Sequence, residues 1–395
     1  MMTVWIENPF DNLPREGSRP LRFWLMARAF VQAGHRVVYW TSDFSHTAKA
    51  RRNLPMAFTD EGVAVRLVPT PPYRTNVSLA RIRSHRAYAR AWEAVAGATD
   101  LSAPDAIIVS TPPLATGDVA IRLARRFGAR LVVDVMDAWP ETFYRLLPSF
   151  AAPLLGRMLF ASADAAARRL YRAADLVTGV ADRYGAIARS KGATSYLRFY
   201  HGIDCAAAPA RVEGRRAGVA LVYIGNMGTT YDLQTLVQAM ELLPTATLDL
   251  AGAGAQAGTV VRLIQERVLA DRVRYHGYLK AADMADLLSR ADIGVVPMAS
   301  ESFVGVPYKF ADYAAAGLAI VSSLGGETEG LLARYGAGAV YRWGNARSLA
   351  AAVDSLVPRL ASAQAAARRL AHEELNARRI YADYVRAVGQ LVATP

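Results

Sequence analysis

Short β-branched runs alternate along this chain with longer amphipathic stretches, and that alternation leaves few folds open. TVWI (3–6), HRVVYWTS (35–42), VAVRLVP (63–69), DAIIVST (105–111), RLVVDVMD (130–137) and DLVTGVA (175–181) read as strands in the first half. VALVYIGN (219–226), ATLDLAG (246–252), RVRYHGY (272–278), DIGVVPM (292–298) and AIVSS (319–323) repeat the style in the second. The segments between them suit helices, and the first, RPLRFWLMARAFVQAG (19–34), ends on a glycine stop signal. Strands separated by helical crossovers imply α/β layers around parallel sheets. A chain of 395 residues exceeds one ordinary core and suits two domains. No sequence repeat is evident, so the expectation is two similar folds rather than an array. The stretch 201–218, HGIDCAAAPARVEGRRAG, reads as the linker, and the cleft across which the two sheets face is the default ligand site. The expected bounds are 1–200 and 205–372. A final helical segment (373–395), with Ile380, Tyr384, Val388 and Leu391 at helical spacing, is expected to cross back to the first domain.

Composition narrows the function classes. Apolar residues make up 53% of the chain and there is no low-complexity tract, as in a folded globular protein. The longest apolar stretch, AAPLLGRMLFASADAAA, is interrupted by Arg157 and Asp164, which argues against a membrane span. The N-terminal MMTVWIENPF has no secretory pattern, so a cytoplasmic location is expected. A lone cysteine, Cys205, excludes an intramolecular disulfide and a cysteine-cluster metal site. The net charge of +12 comes almost wholly from arginine, lysine being confined to Lys49, Lys191, Lys280 and Lys309. Genome composition accounts for much of this bias; the remainder suits an anionic partner such as a phosphorylated ligand or acidic lipid surface. Zinc-finger spacing, RNA-binding aromatics and dense basic runs are all missing, so nucleic acid is not an expected partner.

Chemistry concentrates at strand ends. After VALVYI come Gly225, Asn226, Met227 and Gly228, which would let backbone amides approach a phosphate, whereas Asp232 reads equally as a plain helix cap. Gly252, Gly254 and Gly258 are spaced GxGxxxG, a weak dinucleotide signal that a tight turn explains better. The segment ESFVGVPYKFADYAAAG (301–317) holds Glu301, Gly305, Val306, Pro307, Lys309 and Asp312. A helix starting near Pro307 would put Lys309 in its first turn and Asp312 on the same face. An ammonium beside free helix amides suits a pyrophosphate, and a carboxylate one turn on suits ribose hydroxyls. The alternative is an exposed Lys–Asp pair on a surface helix.

VPYKFADYAAAGLAIVSSLGGE (306–327) resembles the donor-binding stretch of GT-B retaining glycosyltransferases of family 4, nearest to a bacterial subgroup that builds surface polysaccharides. In that subgroup it runs roughly P-N-K-x-x-E-Y-x-A-x-G-x-P-V. Asp134-Val-Met-Asp137-Ala-Trp139-Pro140-Glu141 resembles its D-x-x-D-x-W-P-E, Ser110-Thr-Pro112-Pro113 its S-x-P-P turn, and Tyr200-His-Gly202-Ile-Asp204 its N-G-x-D. His276-Gly277-Tyr278-Leu279 resembles its G-[WY]-[LV] turn on the nucleobase side. The resemblance implies two Rossmann-like domains and transfer of a sugar from a nucleoside diphosphate sugar to a glycan or lipid-linked glycan, with configuration retained. It implies no cofactor and no obligatory metal. Gly225, Asn226, Gly228, Gly277, Tyr278, Gly305, Val306, Lys309 and Asp312 would then bind the donor, with Lys309 as the diphosphate partner.

Two departures stand out. Family members carry two glutamates eight apart; here Asp312 takes the second place and Glu301 lies eleven residues before it. The cations that often follow the first glycine turn are replaced by NMGTTYDL (226–233). On the acceptor side Gly17 and Arg19 occupy the loop after the first strand, which reads also as a solvated loop. Asp137 either orients an acceptor hydroxyl or caps the turn before Trp139, and His46 and His201 are lesser candidates. In SLARIRSHRAYARAWEAV (78–95) a basic face of Arg83, Arg86 and Arg90 lies opposite His85, Tyr88, Trp92 and Val95, which suits an anionic membrane or a helix packed on the sheet. A sugar-nucleotide epimerase and a catalytically silent scaffold of the same architecture are the rival readings.

Overall fold

The computed structural model describes residues 1–98, 101–144, 156, 158–212, 218–299 and 304–394. The chain divides into two units, Met1–Phe199 with Arg378–Pro395, and Tyr200–Ala377.

The first unit is built on an eight-stranded sheet. In spatial order its strands are Tyr196–Arg198, Leu176–Gly179, Arg130–Val135, Ala106–Thr111, Thr3–Glu7, Arg36–Ser42, Val63–Val68 and Ala57–Asp60. All pair in parallel except the last, which returns antiparallel on its neighbour. The first strand lies between the second and Ala106–Thr111, so the winding direction reverses there. Helices on both faces explain why IIV at 107–109 and VWI at 4–6 are apolar without alternation, since neither side meets water. In this unit the strands absent from the sequence reading are edge or very short pieces: Ala57–Asp60, Tyr196–Arg198, and the hairpin Phe44–Ser45 with Ala50–Arg51. Ala57–Asp60 keeps no fully buried residue, so its pattern carries little apolar signal.

A buried ion pair ties this unit together. Arg22, on the helix Arg22–Gln32, makes two 2.8 Å hydrogen bonds to the Asp134 carboxylate and a third to the Phe199 carbonyl. Both side chains are fully out of water. Burial works against the Arg22 charge, and Asp134 outweighs it and holds the guanidinium above its ordinary range. Thr178 donates 2.6 Å to the same carboxylate and lies 3.1 Å from the Tyr384 hydroxyl. Tyr384 comes from the last helix, Ala377–Ala393, and its ring also meets Phe30 and Phe199. Tyr384 and Val388 are buried, as their spacing predicts, while Leu391 is only half-buried.

The helix Leu79–Ala98 turns His85, Tyr88 and Trp92 into the core and Arg83, Arg86 and Arg90 to solvent. The aromatic face weighed above as a membrane belt is therefore core packing. No helix among the described residues is long and apolar enough to cross a membrane.

The second unit has six parallel strands in the order Val273–Tyr275, Thr247–Ala251, Ala220–Ile224, Ile293–Val296, Ala319–Ser322 and Gly338–Val340. Numbered along the chain this is 3-2-1-4-5-6, the doubly wound arrangement, whose ligands collect where the order reverses. That point lies between Ala220–Ile224 and Ile293–Val296.

Replacing Asp134 by Asn leaves the Arg22 charge buried without a counter-ion, which costs about 3–5 kcal/mol. Chemical denaturation of the variant should register that loss.

Candidate functional site

The residues marked by the sequence in the second unit gather at the order reversal. The helix Tyr308–Ala315 starts directly after Pro307, whose ring presets the entry, and it carries Lys309 in its first turn. Tyr313, one turn further and on the same face, accepts a 2.9 Å hydrogen bond from the Ile224 amide at the end of the first strand. On the fourth strand, a Cβ at Gly294 would stand 2.3 Å from the Tyr313 ring, so glycine is what lets the helix lie this close. These two contacts aim Lys309 at Gly225, where an added Cβ would be 3.4 Å from Nζ.

Lys309 is only 7% exposed. Its ammonium lies over two rings, 4.0 Å from the Tyr223 centroid and 3.6 Å from that of Tyr231. Among the described residues it has no hydrogen-bond partner. Burial drives its pKa well below the ordinary lysine value, against the field of Asp312, half-buried three residues on. Two aromatic faces recover part of the lost hydration but not the whole cost of a desolvated ammonium. An anion placed here would supply the rest.

The loop carrying Gly225, Asn226 and Gly228 is braced from below. Gly225 has φ 124°, a region that L side chains rarely adopt, and its amide donates to the Ala251 carbonyl. A Cβ on Gly252 would stand 1.8 Å from the Gly225 carbonyl oxygen, and one on Gly254 within 2.6 Å of the Met227 backbone. The Gln256 side chain donates to the carbonyls of Gly228 and Tyr231. Gly252 and Gly254 thus serve close loop packing, as the tight-turn reading has it, whereas Gly258 stands in open space. Gly277 continues the same row, its carbonyl accepting from the Gly252 amide, and Tyr278 beside it is 80% exposed. Asp232 accepts from the Thr235 amide, so it caps the helix Leu233–Ala239, the plainer of the two readings.

Other candidates take different positions. The Gly305 carbonyl accepts from Thr328 Oγ1 at 2.5 Å, and Val306 is buried in the core. His201 is buried and stacks on Tyr308, 3.8 Å between centroids. Glu301 lies outside the described residues. In the first unit, Asp137 accepts from Thr142 Oγ1 at 2.8 Å and from Trp139 Nε1 at 3.2 Å, so its carboxylate ties its own turn. Gly17, at φ 73°, closes the turn Pro14–Glu16 in open space, and Arg19 is exposed. That loop is held by Arg52, which reaches the Ser42 and Asp11 carbonyls and pairs with Glu16. At this unit's own order reversal Glu7 is fully buried, and burial pushes its carboxyl up to about 8.

Sequence reasoning did not single out Tyr223, Tyr231, Tyr313, Gly294 or Arg52. An aromatic two residues before a strand-end glycine looks like core until its neighbour is known to be a cation. Changing Tyr313 to Phe strands the buried Ile224 amide, which costs about 1–3 kcal/mol. Thermal and urea unfolding of that variant should both report the loss.

Comparison with known proteins agrees with this architecture. Residues 21–199 match the family model for a glycosyl transferase 4-like domain, and 218–358 that for glycosyl transferases group 1. Glycogen synthase of Mycobacterium tuberculosis is 31% identical over 175 residues, a stretch spanning 42% of this chain and 41% of that protein. The chain thus spans about two fifths of the length of the curated relatives it matches. Sucrose-phosphate synthase from Thermosynechococcus elongatus shares the fold over 100% of both chains, with TM-score 0.77 and 16% identity. Anabaena HepE, solved with UDP and glucose, aligns over 99% of this chain and 100% of its own, with TM-score 0.68 and 13% identity. With matches to the two domains of such enzymes in order along one chain, this protein belongs to the glycosyltransferases of GT-B fold.

Proposed function

We propose that the protein transfers a sugar from a nucleoside diphosphate sugar to an acceptor hydroxyl, with retention of anomeric configuration and without an obligatory metal. The observation that carries this reading is the desolvated Lys309 ammonium at the order reversal of the second sheet, held by two tyrosine rings beside Gly225. A departing nucleoside diphosphate develops negative charge at its bridging oxygen, and a preorganised cation in a dry site stabilises it strongly. Lys309 takes the diphosphate in this scheme, with amides of the 225–228 loop beside it. Asp312 accepts from ribose hydroxyls, and Gly277 with Tyr278 flanks the base. HepE, whose structure holds UDP and glucose, supports a nucleoside diphosphate sugar as the donor class.

The acceptor in this reading is a lipid-linked glycan of surface polysaccharide assembly, met at the inner face of a membrane. Its support lies in the first unit, where Val77 and Leu79 are 75% and 72% exposed and Ile82 is exposed too, among exposed Arg74, Arg83 and Arg86. Apolar side chains standing out among arginines suit an anionic bilayer surface. Asp137, tied to its turn by Thr142 and Trp139, acts on Arg81 of this region through its field.

Calorimetric titration with UDP tests the donor reading. Lys309→Met should bind UDP about ten- to hundredfold more weakly, the worth of one hydrogen bond to a charged group. The same variant should melt no lower than wild type, because it removes a buried charge that the free protein does not satisfy. Unchanged UDP affinity would sink the assignment. Wild-type binding should also take up protons. Burial lowers the Lys309 pKa in the free protein and a bound diphosphate raises it again, so between those two values binding is coupled to protonation. UDP affinity therefore falls as pH rises through that window, and binding enthalpy depends on the buffer's ionisation heat. Both dependences should vanish in Lys309→Met.

A further inference from the structure

The first unit holds a second gathering of cations at the carboxyl edge of its sheet, away from the Arg22–Asp134 core. Lys49, from the hairpin loop between Phe44–Ser45 and Ala50–Arg51, reaches Asn76 Oδ1 at 2.6 Å and His46 Nδ1 at 3.3 Å. Arg81, in the first turn of Leu79–Ala98, donates to the Asn76 carbonyl at 2.8 Å and to His85 Nε2 at 3.3 Å. His46 in turn lies 2.5 Å from the Tyr73 hydroxyl. The contacts of Lys49 are a carboxamide, an imidazole and a ring, and Arg81 meets a carbonyl, an imidazole and three rings.

Aromatic rings frame both charges. Arg81 stands 5.5 Å from the Phe10 centroid, 5.4 Å from that of Trp139 and 6.0 Å from that of Tyr73, and Lys49 Nζ is 4.7 Å above Tyr73. The imidazoles do not add charge. Burial and the adjacent cations depress His46 to about 4 and His85 to about 3. Lys49 and Arg81 are themselves lowered, by burial first, while Asp137 is the carboxylate whose field favours the Arg81 charge. Two cations, one from a loop and one from a helix start, therefore converge on a partly dry, ring-lined place, where among the described residues Asp137 is the carboxylate that favours the Arg81 charge. Solvated surface cations would spread apart; Lys49 and Arg81 are held by Asn76, whose side chain and backbone take one cation each.

We propose that Lys49, Arg81 and Asn76, framed by Phe10, Tyr73 and Trp139, form a subsite for a phosphoryl group carried by the acceptor. The proposal rests on the glycosyltransferase reading for the word acceptor, but the anion site itself does not depend on it. Guanidinium and ammonium donors match phosphate oxygens in geometry and charge. The flat rings suit either an isoprenyl chain or a sugar ring attached to that phosphate. Val77, Leu79 and Ile82, exposed on the same loop and helix start, favour the isoprenyl source.

The test is titration of the full chain, saturated with UDP so that the Lys309 site is filled, with inorganic pyrophosphate, farnesyl phosphate and glucose 1-phosphate in parallel. Wild type should bind at least one of them, and Lys49→Gln and Arg81→Gln should each weaken that binding tenfold or more while UDP affinity and melting temperature hold. Arg81→Lys should recover part of the loss. Tighter farnesyl phosphate than glucose 1-phosphate identifies a lipid phosphate, and the reverse order a soluble phosphosugar. Absence of binding to all three probes, or equal binding by wild type and both Gln variants, overturns the subsite. If wild type fails to bind UDP, the donor reading falls separately, and the same titrations without UDP still decide the subsite.

Discussion

Parallel strands impose one condition on everything else in this protein. Each must return by a crossover on a sheet face, so every strand begins at one edge and ends at the other, and all the carboxyl ends share that edge. Where the winding reverses, the flanking crossovers leave in opposite directions and expose the ends of two adjacent strands. Both units reverse in this way, at Thr3–Glu7 beside Ala106–Thr111 and at Ala220–Ile224 beside Ile293–Val296. Gly225, Lys309, Tyr313 and the brace of Gly252 and Gln256 stand at the second of these places, and Glu7 at the first.

Buried cations separate structure from chemistry within this frame. Arg22 meets Asp134, and Lys191, 3% exposed, meets Glu141 and Asp164. Both are satisfied by carboxylates, and each closes a packing problem inside the first unit. Lys309 is buried to a similar degree, yet its neighbours are π faces and a glycine. A chain retains such an unbalanced charge at a cost in stability, and a ligand that brings the missing anion recovers it. The contrast lies in the partners and not in the burial.

Rarity of lysine was a useful but incomplete guide. It marked Lys309 and Lys49, which both sit among aromatic rings, and equally Lys191, an ion-paired core residue, and Lys280, an exposed one preceding a helix. The aromatic members escaped notice for a plain reason. Tyr223 within a buried strand has the same apolar spacing whether it meets a leucine or a cation, and Tyr313 within an amphipathic helix has the same spacing whether or not its hydroxyl takes an amide. The face of Tyr88 and Trp92 stayed open between two readings in the sequence, because a helix packed on a sheet and a helix lying on a bilayer share one periodicity.

The sequence by itself determined the α/β class, eleven of the strands to within three residues, the helix starting after Pro307, and the presence of Lys309 and Asp312 on one face of it. These follow from local rules, since apolar period, proline and glycine act over a few residues. Only the tertiary structure decided what Lys309 touches, that Gly252 and Gly254 serve loop packing, that Asp137 is occupied by its own turn, and that Lys49 and Arg81 share Asn76. Each of those depends on strands and loops far apart in the chain, and the order in which strands pair is set by the packing of whole crossovers, which no local pattern encodes.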